Sequence, residues 1–461
     1  AWVITSYIVA SAIAIPLAGW LSLRFGRKRL FLFAMGSFTV ASYFCGAAES
    51  LAVEVAARVA QGLGGAFLIP LSHAIILDTY PPEEHGRAMA LWGTGSVFGS
   101  FVGPSLGGYL TEHIGWQYIF YINLPLGALA FLGLALFVPE TKRDRSKPLD
   151  WFGFLSLALC VGSLQLMLDR GGSLDWFDSP EIVLEACLAG LGFYLFLAHS
   201  LTRRHPFLDL SLFTDRRFAL GLVFVFMYGL LTLPPIVLMP QFLADIRGYS
   251  IESVGLLQAP RGVGMFFAMI LGGRLTGRVD PRILIAIGLV TMAYPAWEMS
   301  RWTSEVGAWP LSWTNFLQGV GGGIILVPIQ VIAFPGIAPE RRTEATAVYN
   351  LIRSIGAAIG VTAATALFVR QAAFNRARLA ENITQYRDAL QFDTSALAWN
   401  LRTLQGVAHV DERLDFEAAM MAYVWDFRVL ALAALAGLPF LLFVGRTKKG
   451  TATPMEATEA A

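Results

Sequence analysis

An all-α polytopic membrane protein, built as two six-helix repeats with two extra helices between them, is the fold this sequence predicts. Three observations predict it. Hydrophobic residues make up 56% of the 461 positions and charged residues 15%, against roughly a quarter charged in a soluble domain. Apolar runs able to cross a hydrocarbon core, which takes about 20 residues per helix, recur about thirteen times. The chain also matches itself: Gln61-Gly62-Leu63-Gly64-Gly65 returns as Gln318-Gly319-Val320-Gly321-Gly322, at an offset of about 257.

Each span is justified by its apolar run and by the loop it reaches, because Lys and Arg accumulate in short cytoplasmic loops. Trp2 to Leu23 ends in the basic turn Arg24/Arg27/Lys28/Arg29. Leu30 to Glu49 goes out, Leu51 to Leu77 returns to the loop before Arg87, and Ala88 to Leu110 reaches the uncharged-to-acidic turn Thr111 to Gly115. Trp116 to Val138 comes back to Lys142/Arg143/Arg145/Lys147. Trp151 to Leu168 and Ile182 to Ser200 make an out-and-back pair ending at Arg203/Arg204/Arg216/Arg217. Phe218 to Ala244 and Ser253 to Leu275 lead to Arg278/Arg282, then Ile283 to Arg301 and Trp309 to Phe334 lead to Arg341/Arg342. Ala345 to Phe368 and Tyr423 to Val444 complete the set, the last ending at Arg446/Lys448/Lys449. The basic loops therefore place the C-terminus in the cytoplasm and residue 1 outside.

Several function classes are excluded. A formal charge of +1 gives no basic field for nucleic acid. Cys45, Cys160 and Cys187 sit singly in apolar runs, so neither a disulfide framework nor a thiolate metal site is expected. No GxxxxGK[ST] occurs, so no ATP site is expected on this chain. No cofactor or metal is expected, and the His and Asp clusters on facing helices that a polytopic enzyme needs are absent from the sequence.

The internal match extends further. Pro82-Glu83 answers to Pro339-Glu340, Gly99 and Gly103 to Gly356 and Gly360, and Gly19 to Arg24 to Gly273 to Arg278. Parallel six-helix repeats about an axis along the membrane normal build one large class of secondary transporters, with the substrate site between the halves. The span at Phe218 then has a counterpart that precedes residue 1, so the chain is expected to begin mid-protein, its parent having six, two and six helices. The expected division is residues 1–138 for the first repeat, 139–217 for the linking helices and 218–445 for the second repeat. An outer loop at about 370–422 and a cytoplasmic tail at 446–461 complete it.

Gly99, Gly103, Pro104, Gly107 and Gly108 place small residues about one turn apart, where a neighbouring backbone can approach and the helix can bend. With this GxxxGPxxGG run, the sequence resembles the fourteen-helix drug:proton antiporter branch of the major facilitator superfamily, of the EmrB/QacA type. Arg58-Val59-Ala60-Gln61-Gly62 resembles the RxxQG element of that family, which implies proton transfer at Arg58. Gly19, Arg24, Gly26, Arg27 and Lys28 resemble its cytoplasmic gating loop, although Leu23 stands where the superfamily usually has Asp. Trp116 to Phe120 with Asn123 and Pro125, and Ser163 to Gly171 with Asp175-Trp176-Phe177, extend the resemblance, which runs to about Val444. It implies export of hydrophobic or amphipathic drugs across a bacterial inner membrane in exchange for protons, by alternating access. It also implies an acidic residue on the preceding helix, a periplasmic adaptor and an outer-membrane channel. Export of a specific metabolite or siderophore on the same scaffold is the alternative.

Ionisable residues within a span are costly and are read first as functional. Arg58, with Glu54 as its i,i+4 partner, is the leading proton-coupling candidate, the rival reading being an anchor at the outer interface. Arg261, after Gln258 and Pro260, reads as a cavity-facing cation or as a partner for carbonyls freed by Pro260. Arg353 and Asn350 read as gate residues, with Asn350 kept as a substrate contact. Tyr7, Gln61, Phe98, Tyr228, Gln241, Gln258 and Tyr349 complete the expected cavity wall. Asp78 reads as a loop contact, His73 as a packed polar residue, and Glu298/Arg301 and Asp169/Arg170 as solvated pairs. Beyond Arg370, the spacing of Phe374, Leu379, Tyr386 and Leu390 suggests extramembrane helix, either a docking surface for the adaptor or a lid. Asn382-Ile383-Thr384 matches a glycosylation sequon, discounted for a bacterial family.

Overall fold

The computed structural model describes residues 2–81, 84–141, 143, 148–203, 206–276, 278–338, 341–381, 383 and 403–443, with the backbone alone at 96–98, 100–102, 104–105 and 251–252. Among them there is no strand; a single bridge joins Thr276 and Val279. The first repeat contains α1 (Trp2–Ala14), α2 (Leu17–Phe25), α3 (Arg27–Gly46), α4 (Leu51–Gly65), α5 (Leu68–Thr79), α6 (His85–His113), α7 (Tyr118–Tyr121) and α8 (Asn123–Phe137). The linking pair is α9 (Trp151–Arg170) and α10 (Pro180–Thr202). Then follow α11 (Arg216–Thr232), α12 (Pro234–Gln241), α13 (Ile251–Leu275), α14 (Pro281–Met299), α15 (Ala308–Ala333), α16 (Arg342–Ala380) and α17 (Leu404–Leu435).

Breaks within spans have local causes. Pro16 separates α1 from α2, which bend by 59°, since proline removes a backbone donor and clashes with the preceding turn. Pro234-Pro235 likewise restarts the chain as α12. Helix starts are fixed by side-chain caps: Ser50 accepts from Val53, Asp150 from Gly153, and Asp215 from Arg217 and Phe218. Every expected span falls on a helix. Eleven helices are long and apolar enough to cross a membrane, or twelve with the bent pair. The expected thirteen is reached only by including α6, whose side chains are described in part.

The repeat appears as matched backbone contacts. A Cβ on Gly62 would lie 2.5 Å from Tyr7 O, and one on Gly319 would strike Arg261 O. Gly64 packs on Ala34 and Phe38 as Gly321 packs on Gly288 and Met292. Small residues thus let α4 seat on α1 and α15 on α13 at backbone distance. Two further positions differ between the repeats. Gly356 and Gly360 of α16 press on Phe226 O and Leu230 O of α11, whereas nothing described lies within 4 Å of a Cβ on Gly99 or Gly103 of α6.

Outside the span, α16 and α17 continue as a hairpin. Asn375 donates to Ala418 O at 3.4 Å, and Arg376 pairs with Asp411 and Asp415 at 2.5 Å each. Phe374 and Leu379 lie on this helical extension. Tyr386, Leu390, the sequon at Asn382 to Thr384 and the tail lie outside the described residues. At the outer end α9 joins both repeats. Asp169 accepts from Thr5 of α1, and Thr362 of α16 donates to Leu168 O at 2.9 Å. Asp169 and Arg170 are therefore not a pair: adjacent helical residues face apart, and Arg170 bonds Glu181 at 2.5 Å and Glu185 at 2.8 Å. Glu298 and Arg301 form no described ion pair either, Arg301 lying over the Trp297 ring.

Candidate functional site

A cavity of ≈ 460 Å³ lies between the repeats. From the first repeat it is lined by Ile69 and His73 of α5 and by Trp92 and Gly93 of α6. The second repeat supplies Tyr228, Gln258, Arg261, Gln330, Tyr349, Asn350 and Arg353, among apolar neighbours. The described wall carries two guanidiniums and no carboxylate. The His73 ring stands edge-on to Trp92 with centroids 4.0 Å apart, and neither of its nitrogens has a partner. Tyr349 Oη, Asn350 Oδ1 and Gln330 Oε1 are also buried and unpartnered. Such groups are costly to bury unsatisfied, so the floor of the cavity is prepared for a ligand or water that supplies their bonds.

Arg261 is partly committed: it donates to Gln318 Oε1 at 3.1 Å and to Thr232 O at 2.8 Å. The Thr232 bond satisfies a carbonyl that the break before Pro234 leaves open. Arg58 makes a counterpart of this arrangement in the first repeat. Its guanidinium donates to Gln61 Oε1 at 3.0 Å and lies over the rings of Phe120 at 4.6 Å and Tyr7 at 5.8 Å. Gln61 in turn donates to Ser42 at 3.1 Å, and Asn123 reaches the same hydroxyl at 3.0 Å. No described ion pair joins Arg58 to Glu54, because the guanidinium turns inward to the amide and the two rings.

The end of the bundle that carries the turn Arg24 to Arg29 is closed by polar contacts between the repeats. Asp78 of α5 pairs with Arg27 of α3 and, at 2.7 Å, with Arg342 of α16. Arg27 Nε donates to Thr343 Oγ1 at 2.8 Å, and Thr346 Oγ1 donates to Pro70 O at 3.1 Å. Gly19 lies against Glu344, its would-be Cβ 3.0 Å from Glu344 Cα. Gly26 has φ 91°, which only glycine adopts without strain. This turn lets Arg27 point inward while Lys28 donates to Ala135 O at 2.8 Å. Arg24 is half-buried beside it. Charged contacts thus join the repeats here despite Leu23, their carboxylate coming from Asp78. Beside it, α6 meets α13, with Ala90 against Gly273 and Gly86 against Thr276.

Of the expected wall residues, Tyr228, Gln258, Arg261, Tyr349 and Asn350 line the cavity. Tyr7 and Gln61 sit instead with Arg58, and Gln241 is exposed at the end of α12. The side chains of Phe98 and Pro104 lie outside the described residues. Of the remaining glycines on that run, Gly107 and Gly108, like Gly99 and Gly103, meet nothing described within 4 Å of a Cβ. Sequence reasoning missed Trp92 and Gln330 as wall residues; a lone amide inside the run from Ile324 to Ala333 was the signal available for the second.

An all-helical membrane bundle of two repeats around a polar-floored cavity, latched at one end, is the architecture of a solute transporter rather than an enzyme. The family model described as Major Facilitator Superfamily matches residues 1–370. The chain belongs to the major facilitator superfamily. It is 34% identical over 392 residues to the multidrug export protein EmrB of Escherichia coli, covering 85% of this chain and 77% of that protein. With EmrB of Haemophilus influenzae it is 31% identical over 453 residues, covering 98% and 89%. Among solved structures, a double-tryptophan mutant of XylE superposes with a TM-score of 0.62 at 14% identity, covering 97% of this chain and 86% of that one.

Proposed function

We propose that this protein exports hydrophobic or amphipathic compounds, drugs among them, across a bacterial inner membrane in exchange for protons. The two repeats rock about the central cavity in alternating access. The observation that carries this reading is the ≈ 460 Å³ cavity between the repeats, with its cytoplasmic end held shut by Asp78 and Arg342 at 2.7 Å. A latch that joins the repeats and can be broken is what alternating access requires, and the similarity to EmrB supports drugs as the cargo. Each net charge moved through 100 mV is worth about 2.3 kcal/mol, so one proton exchanged for an uncharged cargo supports roughly fiftyfold accumulation from voltage alone. Arg58 and Glu54 of α4 are the proton-coupling candidates, Arg58 being held by Gln61 at 3.0 Å. The hairpin of α16 and α17 is the docking surface for a periplasmic adaptor that leads to an outer-membrane channel.

The test uses everted membrane vesicles energised with a pH gradient. Tetraphenylphosphonium, decanoate and other unrelated amphiphiles are added while proton release is followed. Release by several compounds, lost in Arg58→Ala, supports polyspecific antiport. Silence across the panel with inserted protein favours the alternative, a dedicated metabolite exporter.

A further inference from the structure

Asp426 is 1% exposed, and neither carboxylate oxygen has a hydrogen-bond partner. Among the described residues it is the one carboxylate with both oxygens in that condition. Its place in the helix explains the burial. Tyr423, Asp426, Phe427, Leu430 and Ala434 are all buried on α17, and positions three and four apart share one helix face. The stripe packs toward a cluster that includes Phe242, Met299 and Trp302. The rings of Phe242 and Tyr423 stand 5.3 Å apart and those of Trp302 and Phe427 6.1 Å. A carboxylate at this position occupies a core site otherwise filled by aromatic and aliphatic side chains.

An ionised carboxylate is expensive to bury without a donor, and the usual outcome is that it takes up a proton. The titratable groups on the packed elements do not relieve that cost. Tyr423 lies on the same helix, Asp245 ends the turn after α12, Glu298 belongs to α14, and Arg376 of α16 is held by Asp411 and Asp415. None of them bonds Asp426. The cation farther in is Arg261, beside Gln318. That pair borders a cavity of ≈ 10 Å³ whose rim includes Leu430 and Ala434, one and two turns inward from Asp426. This is about the space one water needs.

We infer that Asp426 is a proton-carrying carboxylate of the second repeat, protonated while the latch at Asp78 is closed and discharged when α17 repacks on α14 and α16. In the discharge step the carboxyl O–H bond breaks and its proton passes to water in the cavity beside Arg261. The carboxylate that remains is stabilised by that guanidinium as its bonds to Gln318 and Thr232 loosen. Recharging takes a proton from the outer face. This inference rests on the antiport reading and places a coupling residue where Arg58 alone would leave none in the second repeat.

The experiment reconstitutes the protein in liposomes with an entrapped pH dye. Tetraphenylphosphonium and decanoate are the probes, and proton-driven uphill transport is compared with substrate–substrate exchange at equal pH. Asp426→Asn is expected to keep exchange within about twofold while losing proton-driven transport by tenfold or more, and Asp426→Glu to restore part of it. Undiminished proton coupling in Asp426→Asn overturns the inference while leaving antiport intact. Exchange without proton flux in the unsubstituted protein overturns antiport and the inference with it. An infrared difference spectrum between the unsubstituted protein and Asp426→Asn provides a readout independent of transport. A protonated-carboxyl band present only in the former supports the assignment, and its absence at neutral pH sinks it.

Discussion

Asp78 and Arg342, 264 positions apart in the chain, meet at 2.7 Å across one end of the bundle. Arg342 also donates to Leu77 O at 2.7 Å, so one guanidinium closes both a charge and the carbonyl end of α5. Helix C-termini favour such cations. Because Arg27 also pairs with Asp78, removing that single carboxylate releases two cations at once.

Asp78→Asn is therefore expected to shift the protein toward its inward-open state by about tenfold, as loss of a partly buried charge-assisted bond of about 1.5 kcal/mol would give. Deuterium labelling of the backbone at Leu77 to Thr79 and Arg342 to Thr346 would report it. An unchanged labelling rate would show that the apolar contacts close this end without the latch.

Gly62 and Gly319 should tolerate no side chain. Gly319→Ala would force a Cβ into Arg261 O, and Gly62→Ala into Tyr7 O. Overpacking of this kind costs about 1–3 kcal/mol. Thermal melting in detergent should drop for both, with Gly319→Ala also displacing Arg261.

Gly356→Ala and Gly99→Ala separate a filled helix socket from an unfilled one. In the 461-residue chain the first should destabilise by about 1–3 kcal/mol and the second by less than about 0.5 kcal/mol. Thermal melting of the two variants in detergent decides it, and equal losses would show that Gly99 is packed as tightly as Gly356.

Arg261→Lys should lose more than charge counting suggests. A guanidinium reaches Gln318 and Thr232 O together through its fork, which an ammonium does not reproduce. The expected result is at least fivefold weaker binding of decanoate by the purified protein, with tetraphenylphosphonium less affected; binding calorimetry of both decides it.

The spans were legible because the hydrocarbon core imposes length and apolarity on each, and the repeat was legible because glycines at backbone contacts leave no room for substitution. Arg58 and Arg261 stood out as charges inside apolar runs. What escaped was decided by tertiary approach. Asp78 reads as a loop end until α16 is brought over it. Arg58 reads as paired with Glu54 until the rings of Phe120 and Tyr7 are placed inside. Asp426 was not singled out by the sequence at all, and only the packing of α17 onto Met299 and Phe242 puts it in the core.

The two linking helices carry a mechanical consequence. Since α9 is tied to α1 through Asp169 and to α16 through Leu168 O, it runs along one edge of the outer mouth like the spine of a book. A structure bound along one side opens lopsidedly, so the two repeats would swing about α9 and not separate evenly.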